Sequence, residues 1–257
     1  MRPMRHTALL AGLLYLLTFV TSIPTLRLYR PLRDHTDFIL GAGSAVGVTW
    51  GALLEIALAV FCVGTAVVLF PVLKRQSETA ALGLVAARIV ETGLIFVGAI
   101  SLLSLITLRD DVAGTAGADP ASLVTTGQSH VAVYDWTFLL SQSLMPVIVD
   151  LLLGYLLFRS RLVPRIWPIV AFIGAPMLLA SDLAVFFGVY AKGSPLDLVA
   201  ALPIAVFEFS FGVRLLVKGF DPASPLFHRA SAEVGRAPIP APRAGVEQPD
   251  GRVAEVG

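Results

Sequence analysis

The sequence predicts an all-α integral membrane bundle of six transmembrane helices, with N-terminus and C-terminus both cytoplasmic. Three observations predict it. Hydrophobic residues make up 56% of the 257-residue chain and charged residues 14%, whereas soluble domains run at about 45–50% and about 25%. Too few charges remain to coat a water-facing surface. Six stretches reach the roughly 20 mostly apolar residues needed to cross about 30 Å of hydrocarbon, and lysine and arginine gather at alternate ends of them. No ten-residue alternating pattern appears, which excludes an outer-membrane barrel.

The first span is placed near 8–28, behind Arg2, Arg5 and His6. A cleaved signal peptide is the rival reading, with Val20-Thr21-Ser22 as its cleavage site. The apolar run continues through Ile23 and Leu26 and lacks a clean A-x-A. An uncleaved helix bent near Pro24, where a backbone donor is missing, is therefore preferred. Residues 29–49 read as a flexible outer loop; the GAGSAVG at 41–47 follows no strand of a βαβ unit and so does not read as a nucleotide loop.

The second span, near 50–73, ends at Lys74 and Arg75, and the third is placed near 80–107. The following outer loop, 109–136, carries Asp110, Asp111, Asp119 and Asp135. The fourth span, near 137–158, opens on Tyr134-Asp135-Trp136, read as an interfacial belt, and ends at Arg159, Arg161 and Arg165. The fifth and sixth spans are placed near 167–190 and 195–217, the last followed by Lys218. Basic short loops on one side and acidic ones on the other put both termini inside, in a multi-pass protein of the inner (plasma) membrane. The six spans make one domain, 1–220. Residues 221–257 are rich in Pro, Ala, Gly and Arg, cannot offset ordering entropy by burial, and read as a disordered cytoplasmic tail.

The runs ALLEIALAVFCVGTAVVLFPVLKR (52–75), LGLVAARIVETG (82–93), LLLGYLLFRSRLVPR (151–165) and EFSFGVRLLVKGF (208–220) resemble a bacterial membrane-protein family catalogued as domain of unknown function 4386. The resemblance covers roughly residues 5–220. It implies a six-helix integral membrane protein and supplies no established reaction, substrate or cofactor. It also implies a neutral amide just before LLLGYLL, where this chain has Asp150, which argues against a family-wide catalytic role for Asp150.

The informative residues are charges inside the spans. Insertion scales charge about 2.5–3.5 kcal/mol for Asp, Lys or Arg at a helix centre, so such groups face the bundle interior. At about 1.5 Å rise per residue, Arg88, Asp150 and Glu208 each lie roughly 12–14 Å from the inner ends of their helices. Glu91 shares Arg88's face at i+3. One layer is therefore expected, a buried polar network of Arg88 with Glu91, Asp150 and Glu208. One reading is structural, the charges fixing which helices are neighbours. The other notes three acids for one arginine and gives one carboxylate an exchangeable proton. Glu55 and Asp182 are acids nearer the outer side with no base in the spans at their level. Either Arg27, Arg30 and Arg33 fold in to meet them, or they line a water-filled vestibule. Cys62, on Glu55's face with Ala52, Ala59 and Ala66, reads as a small packing residue.

Other chemistries are excluded or unsupported. A single cysteine rules out an intrachain disulfide and a CxxC pair. All four histidines lie outside the spans, which argues against haem, and no HExxH or His-rich cluster supports a metal site. The charge balance of +1 gives no field for nucleic acid. No cofactor is expected; the bilayer is the certain partner and a small-molecule ligand the open one. Three functions stay open: a small-molecule or proton-linked carrier, a non-catalytic scaffold or partner-binding subunit, and, behind both for want of a nucleophile, a lipid-modifying enzyme.

Overall fold

A computed structural model describes residues 2–112, 117 and 119–227. All regular structure among them is helical. Six helical segments are long and apolar enough to cross a membrane, and the chain is a multi-pass membrane protein.

The first segment comprises α1 (Arg2–Ser22), a break at Ile23-Pro24, and the short α2 (Thr25–Leu28) and α3 (Arg30–Asp34). The next two are α4 (Ala45–Leu73) and α5 (Glu78–Val112). The fourth is α6 (Pro120–Leu139), which runs through a wide π turn at Leu140–Leu144 into α7 (Met145–Ser160). Then come α8 (Ile166–Phe186) and α9 (Pro195–Val217). Each long helix packs on its chain neighbours, α4 on α5, α5 on α6 and α7, α7 on α8, α8 on α9, and α1 lies between α4 and α9. The bundle is thus a ring closed in chain order. Its outward faces are apolar, with Leu13, Leu53, Val60, Val67, Ile89 and Phe209 among the exposed side chains, as contact with acyl chains requires.

The start of α1 and the residues after α9 meet at one end of the ring, here the terminal end. Arg5 donates to the carbonyls of Leu215 (3.3 Å) and Leu216 (2.8 Å), closing the last turn of α9. Those carbonyls have no helical partner of their own. Residues 221–227 dock there rather than leaving the bundle. The Asp221 amide donates to Leu162 O (2.8 Å), the Ser224 hydroxyl to Ser160 O (2.6 Å), and Leu226 is buried. The remainder of the expected tail, 228–257, lies outside the described residues.

The opposite, distal end differs from the expected loops. Residues 29–49 are strapped down, not a free loop. Arg109, in the last turn of α5, donates to the carbonyls of Phe38 and Ala42 (both 2.9 Å), Gly41 (2.8 Å) and Gly43 (3.0 Å), and its guanidinium lies 4.4 Å from the Phe38 ring centre. Gly41 sits at φ 112°, a conformation closed to most side chains. The fourth segment begins at Pro120 rather than near 137. Asp119 caps it, accepting from the amides of Ala121 and Ser122. Its polar stretch looked like loop because it is unsuited to lipid. Within the helix Thr125, Thr126 and Ser129 turn their hydroxyls back onto the carbonyls four residues earlier, which gives these polar groups partners on their own helix. Tyr134 is correspondingly buried in a distal core with Tyr29, Phe38 and Ile39, whereas Trp136 of the same run is exposed.

α1 and α9 touch backbone to backbone. A Cβ at Gly12 would lie 2.7 Å from Gly212 O and 2.9 Å from Leu216 N, neither of which is a flexible side-chain end. Gly12→Val should therefore force the two helices apart and cost at least the ~1–3 kcal/mol typical of overpacking. A lower melting temperature of the purified variant is the expected result, and an unchanged one would show that this seam can give.

Candidate functional site

The central site forms where α1, α4, α5 and α9 converge. α5 presents Arg88 and Glu91 on one face, as i and i+3 must. One terminal nitrogen of Arg88 donates to both Glu91 oxygens (2.9 Å each), and the other donates to Oε1 of Glu208 on α9 (2.9 Å). The Tyr15 ring of α1 lies 5.9 Å from the guanidinium. Arg88 and Glu91 are 4% exposed at their side chains, Glu208 17%. Such charge-assisted bonds are about twice as strong as neutral ones, and sharing one guanidinium fixes the α5–α9 register.

Asp150 on α7 completes the expected set only in part. It is within electrostatic reach of Glu208, Arg88 and Glu91, yet neither of its oxygens has a hydrogen-bond partner and it is fully buried. Arg88 turns its terminal nitrogens to Glu91 and Glu208, and its Nε, also without a partner, is not brought within hydrogen-bond reach of Asp150. A shared level along the bundle was readable from residue counts, whereas which acid the guanidinium reaches depends on helix rotation.

A central chamber of about 110 Å³ opens onto these charges, with Cys62, Arg88, Glu91, Gln142, Pro146 and Glu208 in its wall. One water needs about 10–15 Å³, so the space suits waters and ions rather than a drug-sized molecule. Cys62 therefore faces a polar space as well as helix packing. Beyond it, towards the distal end, lies a second chamber of about 270 Å³. Phe19, Gln142, Pro146 and Glu208 line both. The distal chamber is walled largely by apolar side chains, Phe138, Leu178 and Ile204 among them, and reaches Arg33 and Lys192.

The two outer acids meet other partners than the first-loop arginines. Glu55 Oε1 accepts from the Tyr134 hydroxyl (2.7 Å) and the Gln142 amide (3.1 Å). Asp182 Oδ1 accepts from the Ser143 hydroxyl (2.5 Å) and from Lys192 Nζ (3.4 Å). Arg33 instead approaches Asp135 at 3.8 Å. A phenol and an amide pair one oxygen of this buried carboxylate without a second buried charge, while Oε2 has no partner; residue-type counting misses such partners. The π turn makes this possible. Wide turns commonly accompany functional sites, and Pro146, lacking an N–H, favours one here. Its neighbours Gln142 and Ser143 diverge, one to Glu55 on α4 and the other to Asp182 on α8.

Two further residues escaped the sequence reading. Lys192, assigned to an outer loop, extends its ammonium to Asp197 Oδ1 (3.1 Å) as well as Asp182. Asp197, 2% exposed, also accepts from the Gly193 amide (2.8 Å) and the Ser181 hydroxyl (3.0 Å). A signal was present in Ser194-Pro-Leu-Asp197, a capping box that opens α9: Ser194 accepts from the Asp197 amide. The motif announces a helix start and says nothing of a lysine five residues upstream.

A family model described as "Domain of unknown function (DUF4386)" matches residues 10–219. No curated protein and no solved structure matches the chain.

Proposed function

The chain belongs to the DUF4386 family, whose description assigns no reaction, and from that premise we propose that it is a proton-linked carrier of small molecules. Its chambers form the transport path, its termini face the cytoplasm, and it resides in the inner (plasma) membrane, where the basic short loops favour that orientation. The observation that carries the reading is the central chamber ending on an ion-paired cluster. Buried ionisable groups in membrane helices are costly and are kept where they serve a path. A cluster that only fixed helix packing would have no need of a chamber on its charged face.

The roles follow from the geometry. Arg88 is the counter-charge, both of its terminal nitrogens being engaged by carboxylates. Glu91 and Glu208 share one guanidinium and face the chamber, so the exchangeable proton resides on this pair. Asp150 does not line the chamber and adds a third acid behind it. Only the Arg88–Glu208 pair ties α5 to α9, and a proton that breaks it weakens that tie. That gives the ring a means of coupling protonation to opening, since a shift between states requires different interactions in each.

Glu91→Gln tests the reading. It removes one charge and keeps an oxygen that accepts from Arg88. In proteoliposomes with a lumenal pH indicator, a panel of cationic, anionic and zwitterionic small molecules is added outside. The wild type should change lumenal pH with at least one class. The variant should not, at a melting temperature within about 2–4 °C, the shift expected of ~1 kcal/mol in a chain this size. A folded wild type silent to the whole panel contradicts the carrier. A variant that aggregates while wild-type flux is absent favours the packing role.

A further inference from the structure

The ion pairs around the two chambers do not balance. Arg33, Arg88 and Lys192 face Asp135, Asp182, Asp197, Glu91 and Glu208, three cations against five carboxylates. Asp150 lies behind them with no hydrogen-bond donor on either oxygen. Carboxylates in excess of their counter-charges are expensive in a low-dielectric interior, and the deficit is met by protons or by a bound cation. Each cation is also spoken for. Lys192 is held between Asp182 and Asp197, Arg88 between Glu91 and Glu208, and Arg33 stands near Asp135. An anion entering here would meet carboxylates in excess, with Arg33, 58% exposed at its side chain, the one loosely paired cation of the three.

Shape narrows the ligand further. The distal chamber, about 270 Å³, falls just below the ~300 Å³ at which drug-sized sites begin. Its walls include the rings of Phe19 and Phe138 with Leu178 and Ile204, and at its base is Glu208. Glu208 is also the most exposed acid of the central cluster. Aromatic faces attract cations, and organic ammonium groups favour such surroundings. Resting on the carrier reading above, we infer that the distal chamber binds a small lipophilic monovalent cation, an amine or a quaternary ammonium. Its charge rests on Glu208 and its apolar body lies between Phe19, Phe138, Leu178 and Ile204. As the cation enters, one carboxyl O–H bond of the central cluster breaks and its proton passes to chamber water. The cluster's net charge is unchanged, so the exchange is one proton for one cation.

Benzyltrimethylammonium is a suitable probe, because a quaternary nitrogen keeps its charge at every pH and any pH dependence belongs to the protein. Phenylpropionate is its anionic counterpart. With the full chain in lipid nanodiscs and empty discs subtracted, calorimetry should show saturable binding of the cation and none of the anion. Binding should weaken at least about tenfold between about pH 8 and about pH 5, across the carboxylate range as proteins shift it. An indicator dye in weak buffer should register proton release on binding. Glu208→Gln should abolish binding. Ala201→Phe, which fills the chamber without touching a charge, should do the same and decides the matter if Glu208→Gln does not fold. No saturable cation binding, binding of phenylpropionate in its place, or unaltered binding in folded variants overturns the inference. If lumenal pH answers only to anions or zwitterions, the carrier stands and the cationic cargo falls. Silence to every class removes both.

Discussion

Arg88→Gln should lower stability by roughly 3–5 kcal/mol, the cost of breaking a buried ion pair by removing one partner. The reason is local and complete. The guanidinium donates to both Glu91 oxygens and to Glu208 Oε1. A glutamine amide is too short to reach across to α9, so two carboxylates would remain in the bundle with no counter-charge. Loss of yield and a markedly lower melting temperature are expected. Arg88→Lys should recover only part, because a single ammonium on a flexible stem cannot present the planar fork that serves two acids at once. A glutamine variant as stable as the wild type would show that the pairs contribute nothing to the fold.

Asp150→Asn should act in the opposite direction. Asp150 is fully buried and neither oxygen is hydrogen-bonded, so the substitution breaks no contact. It removes a carboxylate that repels Glu208 and Glu91 nearby. An uncharged group in place of one that can ionise should leave stability unchanged or raise it, although the amide, still unpaired, keeps the ~1–3 kcal/mol cost of an unsatisfied buried group. Chemical or thermal denaturation of wild type and variant side by side is the check. A loss beyond about 1 kcal/mol, the usual worth of a hydrogen bond, would mean that Asp150 holds a partner after all. The two substitutions sit on neighbouring helices in one cluster, and opposite signs would separate paired from unpaired charge.

Much of this molecule could be read from the chain. Apolar length and basic flanks locate six spans because the bilayer imposes a thickness and forbids unpaired backbone. The last span, 195–217, coincides with α9. The Arg88–Glu91 pair was legible from i,i+3 spacing, and Glu208 from its depth. What stayed hidden depends on rotation and on neutral partners. Nothing in the residue types near Gln142 or Tyr134 says that they face Glu55. Thr125 to Ser129 look like loop because hydropathy cannot register hydroxyls bonded back to their own helix. Lys192 was misread because a loop residue's charge is assigned to solvent by default, whereas its long side chain can fold back onto buried acids.

The central claim is that the buried charges of this bundle form a working proton site and do more than hold helices together. Infrared titration of the protein in lipid tests it most directly, because a buried carboxylic acid has a carbonyl band distinct from that of its carboxylate. The account predicts a carboxylic band that exchanges when the buffer pH is changed and that is lost in folded Glu91→Gln. A wild-type spectrum with no carboxylic band responding to the buffer would contradict it.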